Sequence, residues 1–293
     1  MTPKEAIRLA INGRTDIGQV RDENEDHIGW YNHPSLPMGF VVIADGMGGY
    51  TGGSKASQIA VKCVTEHLET LPTSTFQACT PDQQLLVIHS KILDALNAAN
   101  AGILDAKVSA PQLANMGSTI VLALVWQDKV TIAHLGDSRA YLWNKDGLCQ
   151  LTSDHSLVQE MIDSGSLTVT QARSSRVRNH ITRALGVTEF IEPNINTYAL
   201  IQNSLLMLCS DGLTEYLDHG ELEFVLSTHR PALECCYRFI SEANEMGGKD
   251  NISVGIIEYT LENKVSVSQA NISVPAPSSA PVEDVTVRKE SRA

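Results

Sequence analysis

In three places the chain runs through an apolar stretch and then meets a lone carboxylate. Val41-Val42-Ile43-Ala44 ends in Asp45, Thr131-Ile132-Ala133-His134-Leu135-Gly136 in Asp137, and Leu205-Leu206-Met207-Leu208-Cys209-Ser210 in Asp211. Asp250 stands just before the apolar run Ile252–Ile257, and Asn24-Glu25-Asp26 precedes His27-Ile28-Gly29-Trp30. A carboxylate stepping out of a buried strand is poorly solvated unless something pairs with it. One such residue is a cap or a turn former, but five acidic points beside five separate strands imply that the strands end at a shared mouth. Any fold for this chain has to bring those ends to one edge.

The strands are short runs rich in Val, Ile and Leu, most of them bounded by Gly, Asp or Asn: Gly39–Ala44, Ser118–Val125, Lys129–Leu135, Arg139–Trp143, Ser204–Cys209 and Ile252–Tyr259. Gln127-Asp128 fits a tight connection and Asp146-Gly147 a hairpin. Helical spacing runs from Ser54 to about Glu69, from Asp82 to about Ala106, and from Pro231 to about Glu245. Two consecutive helices inside a β-rich centre, with another before the last strand, are neither βαβ alternation nor all-β. The expected class is α+β, with antiparallel sheets and helices packed outside them.

One domain is expected over residues 13–260, after an N-terminal segment 1–12 and before a Pro/Ser/Ala-rich tail 261–293 of disordered composition. With 34 acidic against 22 basic residues the net charge is −12, which excludes a general nucleic-acid binder and a protein that adsorbs to anionic membrane. No run has the length of a membrane span, no signal peptide is recognisable, and six cysteines without any C-x-x-C read as free thiols in a reducing cytosol. The expected location is cytoplasmic.

Clustered carboxylates without Cys or His pairing select a hard cation, Mg²⁺ or Mn²⁺. Two such ions stabilise an in-line displacement at phosphorus. Asp45-Gly46 leads into Met47–Ser54 and then helix, and Asp211-Gly212 leads into helix, so neither is a hairpin turn. Gly48–Lys55 lacks the Gly-Lys-Ser/Thr order of a phosphate-binding loop, and Gly136–Ala140 is not G-x-S-x-G.

In order along the chain, the motifs resemble the metal-dependent protein serine/threonine phosphatases of type 2C, especially their bacterial branch. The segments are Gly13–Gly18, Arg21–Asp26, Val42–Gly49, Gly117–Thr119, His134–Tyr141, Thr152–Leu157, Ile181–Gly186, Leu208–Leu213 and Asp250–Ser253. The resemblance implies a sandwich of two antiparallel sheets flanked by helices, in α-β-β-α layers. It implies that Asp45 bridges two catalytic Mn²⁺ or Mg²⁺ ions, with the Gly46 carbonyl on one and Asp211 and Asp250 on the other. Glu25, acting through water, and Asp26 lie near the metals; Asp137 with Asp211 holds a third, weaker metal; Arg21 grips the phosphate through a bidentate guanidinium. A hydroxide bridging the metals then hydrolyses phosphoserine or phosphothreonine directly, without a phosphoenzyme.

The resemblance also implies a phosphoprotein substrate, a cognate Ser/Thr kinase and a role in signalling, and the expected state is a monomer. Alternatives are a phosphoprotein-binding pseudophosphatase of the same fold and a phosphatase dedicated to one class of regulator. Met47 stands where eukaryotic members often carry His, so the general acid stays open. Residues 155–190 resemble the flap of bacterial members and carry Arg173, Arg176, Arg178, His180 and Arg183, with Ser174-Ser175-Arg176 departing from the expected His-Pro.

Overall fold

A strand that is apolar at every position needs cover on both faces, and the fold supplies it. The computed structural model describes residues 6–49, 51–71, 73–173 and 175–262. The first half holds strands β1 (Ala6–Asp16), β2 (Asp26–Asn32) and β3 (Met38–Met47), then helices α1 (Thr51–Glu69), α2 (Thr73–Ala78) and α3 (Pro81–Ser109). Strands β4 (Gly117–Ser118), β5 (Ile120–Trp126), β6 (Lys129–Leu135), β7 (Arg139–Asn144) and β8 (Gly147–Gln150) follow, with helices α4 (Leu157–Asp163) and α5 (Val169–Arg173). The rest is β9 (Asn194–Ala199), β10 (Ser204–Cys209), α6 (Asp211–Thr214), α7 (His219–Thr228), α8 (Ala232–Glu245) and β11 (Ile252–Glu262).

Two antiparallel sheets result. One has the order β1-β11-β10-β7-β8; the other runs β2-β3-β5-β6-β9, with β4 beside β3. Side chains alternate faces along a strand, so β3 sends Val41 and Ile43 into the layer between the sheets, where they meet Leu206, Leu208 and Ile257. Its Phe40, Val42 and Ala44 face outward, under Ala60 and Val64 of α1 and Ile92 and Leu96 of α3. On the far side Met207 and Val254 pack under Cys235 and Phe239 of α8. Ile43 and Leu208 are fully buried, and each side chain of this size contributes about 1.5–3 kcal/mol through burial. This is the expected α-β-β-α sandwich.

Several boundaries differ from the sequence reading. The N-terminal segment expected to stand apart, 1–12, joins the domain from Ala6: β1 pairs with β11 over its whole length, so a boundary at 12/13 cuts one strand. The last strand continues to Glu262, and the tail beyond it, 263–293, lies outside the described residues. The run expected as one strand, Ser118–Val125, divides at Thr119, whose N–H donates to the Asp45 carbonyl at 2.8 Å. Helix α3 runs three residues past the expected Ala106, to Ser109, and its start is set by a capping box that places the side chain of Thr80 on the Gln83 N–H and that of Gln83 on the Thr80 N–H. The Gln127-Asp128 connection forms between Trp126 and Lys129; the hairpin expected at Asp146-Gly147 forms one residue earlier, with Lys145-Asp146 as its loop and Gly147, at φ 107°, already paired with Asn144. None of the six cysteines forms a disulfide. No described helix is long and apolar enough to cross a membrane.

Candidate active site

The two sheets deliver their carboxylates to one end of the sandwich. Asp26 opens β2 and is the register partner of Asp45 near the end of β3. Asp137 follows β6 in the turn to β7; Asp211 opens α6 directly after β10; Asp250 precedes β11. The Ser210 hydroxyl, from one sheet, donates to Asp26 Oδ2, from the other, at 2.7 Å.

Burial and mutual repulsion govern the electrostatics. Asp26 is pushed up to about 7, first by burial and then by the charges of Asp211 and Asp250, against the hydroxyls of Ser210 and Ser253. Asp137 is raised to about 7 by burial and by Asp211, and Asp211 to about 6 by burial and Asp250. Asp45 is held well above the usual carboxylate range by burial, with the charges of Asp26, Asp211, Asp137 and Asp250 adding to it. Glu25 is raised by burial, which Arg21 offsets in part, and its Oε1 is buried without a hydrogen-bond partner among the described residues.

Of the two guanidiniums at this end, Arg21 pairs with one of the site acids and Arg139 with an acid outside the set. Arg21 donates from Nη2 to Asp250 Oδ2 at 2.7 Å, and Arg139 clasps Asp154 through Nε and Nη2 at 2.6–3.1 Å. The repelling groups line one mouth without closing on one point: among the described residues no three His, Cys, Asp or Glu side chains form a finished cage. The donor set nevertheless fits a hard divalent cation, being all oxygen and short of positive charge. Gly46 is buried, its N–H donates to the Glu25 carbonyl at 3.1 Å, and a Cβ there would strike the Gly53 and Glu25 carbonyls.

Uncharged neighbours hold the acids in place, and sequence reasoning gave them no role. Asn251 accepts from the Glu25 N–H at 2.8 Å and donates to the Ile17 and Glu23 carbonyls, tying the loop before β2 to the start of β11. Thr119 Oγ1 accepts from the Asp45 N–H at 3.1 Å and bonds Ser138 Oγ at 2.8 Å, linking the Asp45 strand to the residue beside Asp137. Ser118 Oγ donates to the Asp45 carbonyl at 3.0 Å. Their signal in the sequence is adjacency: Ser210 precedes Asp211, Asn251 follows Asp250, and Ser138 follows Asp137.

The segment 155–190 is rooted on the rim of this mouth. The His155 N–H donates to the Gly136 carbonyl, and Leu185 and Ser118 exchange backbone hydrogen bonds. Arg176, His180 and Arg183 are exposed, whereas Arg178 donates to Glu215 Oε1 at 2.7 Å; the Arg173 side chain lies outside the described residues. Met47 pairs with Gly117 across β3 and β4 and brings no ionisable group.

Acids from both sheets, Asp26 buried and Asp45, Asp137, Asp211 and Asp250 half-buried, thus gather at one end of the sandwich. Residues 18–246 match the protein phosphatase 2C family model. A serine/threonine phosphatase of Listeria innocua, stp, is 36% identical over 252 residues, covering 86% of this chain and 96% of the relative. The solved Streptococcus agalactiae serine/threonine phosphatase superposes with a TM-score of 0.75 at 31% identity, over 85% of this chain and 99% of that one. The catalytic domain of the serine/threonine phosphatase PstP, solved with two manganese ions, gives 0.73 at 27% identity, over 87% of this chain and all 100% of that one. The chain belongs to the protein phosphatase 2C family.

Proposed function

We propose that this mouth hydrolyses phosphoserine and phosphothreonine in proteins, with Mn²⁺ or Mg²⁺ bound among its carboxylates. The observation that carries the reading is the set of carboxylates from both sheets, Asp26 buried and Asp45, Asp137 and Asp211 half-buried, each raised by desolvation and by its acidic neighbours. Asp45, the Gly46 carbonyl, Asp211 and Asp250 would hold two cations, with Glu25 and Asp26 beside them and Asp137 with Asp211 at a third. When bound, such cations neutralise developing phosphoryl charge and lower the pKa of water.

The chain's own groups do the rest. Arg21 is anchored on Asp250 through Nη2 and its side chain is about half exposed, so its remaining N–H donors are available to orient a phosphate. The Ser210 hydroxyl fixes Asp26 Oδ2, leaving a carboxyl that changes protonation near neutrality at the floor of the site. Met47 has no proton to give a leaving alkoxide. The same reading includes an opposing Ser/Thr kinase, a signalling role, a monomer and a cytoplasmic location; the six cysteines without a disulfide support a reducing compartment.

Arg21→Lys tests the phosphate assignment. A point charge cannot reproduce the fork, so kcat/KM for p-nitrophenyl phosphate should fall roughly 10–100-fold, a loss of about 1.4–2.7 kcal/mol of transition-state stabilisation. The melting temperature should hardly move, because the side chain is largely exposed; unchanged kinetics would remove Arg21 from the site.

The segment 155–190 is read as a flap that meets the substrate. Reversing Arg176 to Glu should weaken kcat/KM on acidic phosphopeptides a few-fold, as expected for an exposed pair, and leave p-nitrophenyl phosphate untouched. Reversing Arg178 also breaks its bond to Glu215, one turn after Asp211, and should slow both substrates. Identical behaviour of the two variants would contradict this division.

A further inference from the structure

Beside the carboxylates, the loop 17–25 and the first two turns of α1 border an open groove of about 370 Å³, lined by Ile17, Asp22, Glu23, Asn24, Ser54, Lys55 and Gln58. It adjoins the site at two points. Asn24 immediately precedes Glu25, and Ser54 follows Gly53, which lies against Glu25 Oε1. Arg21, fixed on Asp250, is the residue before Asp22, so the groove begins one residue from the guanidinium read as the phosphate grip.

The groove and the segment 155–190 reach the site from different elements. The groove is walled by the loop before β2 and by α1. The roots of 155–190 are at Ser118 of β4 and at Gly136 after β6.

The charge of the groove selects among flanks. Asp22 and Glu23 are exposed, and among the described residues neither enters an ion pair. Lys55 is the one cation in the lining, with its Nζ 3.5 Å from Gln58 Oε1. Ile17, 39% exposed, offers an apolar wall for the methylene stem of a long basic side chain. We propose that this groove receives substrate residues flanking the phosphoserine or phosphothreonine, and that Asp22 and Glu23 select Lys or Arg there. The proposal rests on the phosphatase reading above.

The test uses phosphothreonine peptides that differ only by Arg or Glu at each of the three positions on either side, with p-nitrophenyl phosphate as a substrate that has no flanks. Wild type should favour Arg over Glu at one or more positions on one side by roughly 3–10-fold in kcat/KM at low salt, the size expected from two exposed ion pairs. The preference should shrink in 0.5 M NaCl, where the Debye length is a few Å. Asp22→Asn with Glu23→Gln should abolish it and Asp22→Lys with Glu23→Lys should invert it, both keeping p-nitrophenyl phosphate turnover within about threefold. Equal Arg-to-Glu ratios in wild type and both variants, with p-nitrophenyl phosphate still hydrolysed, overturn the groove assignment alone. No p-nitrophenyl phosphate hydrolysis by wild type overturns the phosphatase reading and this proposal with it.

Discussion

Asp45→Asn and Asp211→Asn should each abolish Mn²⁺-dependent hydrolysis of p-nitrophenyl phosphate, lowering kcat by at least about 10³-fold, or about 4 kcal/mol. Loss of activity alone would not separate a damaged fold from a damaged site, but the electrostatics make a second, opposite prediction. Both carboxylates are disfavoured in their charged form by burial and by their acidic neighbours. An isosteric neutral amide relieves that repulsion. The metal-free variants should therefore melt at or above the wild type at pH 7.5 while remaining inactive. Two inactive variants that also melt well below wild type would mean that these residues hold the fold rather than run the chemistry, and near-normal activity in both would end the assignment.

The second large effect is the pH dependence of metal stabilisation. Asp26 and Asp137 titrate at about 7 in the fold and Asp211 at about 6, whereas an unfolded Asp titrates near 3.9. Between about pH 4 and 7 the folded state therefore binds more protons than the unfolded chain, and stability falls as pH rises through that window. His155, held down to about 4 by burial and His134, and His27, His89 and His134, lowered by burial, act in the opposite direction below about 6.5, against the five raised carboxylates Glu25, Asp26, Asp45, Asp137 and Asp211. Metal-free protein should accordingly lose stability from pH 5 to 7.5. Mn²⁺ should restore it where the carboxylates are ionised: at a hundredfold excess over Kd the gain is about 2.7 kcal/mol, or about 5–10 °C for a domain of this size. At pH 5 protons compete and the shift should be small. Equal metal-induced shifts at both pH values, read by differential scanning fluorimetry, would place the binding site elsewhere.

Much of this arrangement was legible in the chain, and for a physical reason. Strands covered on both faces read as unbroken apolar runs, so β3, β5, β6, β10 and β11 announced themselves. A carboxylate at the end of such a run stands out because burial without compensation is costly. Strand β1 was invisible because it lies at a sheet edge, is half-buried almost throughout, and carries Arg8, Asn12 and Gly13. Strand β9, also an edge, reads Asn-Ile-Asn-Thr-Tyr-Ala. The division at Thr119 depends on a hydrogen bond to a residue 74 positions away, which no local pattern encodes. The same holds for Asn251 and Ser210, whose partners Glu25 and Asp26 lie 226 and 184 positions away.

The central claim is that carboxylates from two sheets form one cation-dependent centre for phosphoester hydrolysis. Phosphate release from a phosphothreonine peptide, followed in wild type through chelation with EDTA and readdition of Mn²⁺, tests it most directly. Release should stop on chelation and return with Mn²⁺ in wild type, but not return in Asp45→Asn. Release that continues at an unchanged rate in EDTA would contradict the account.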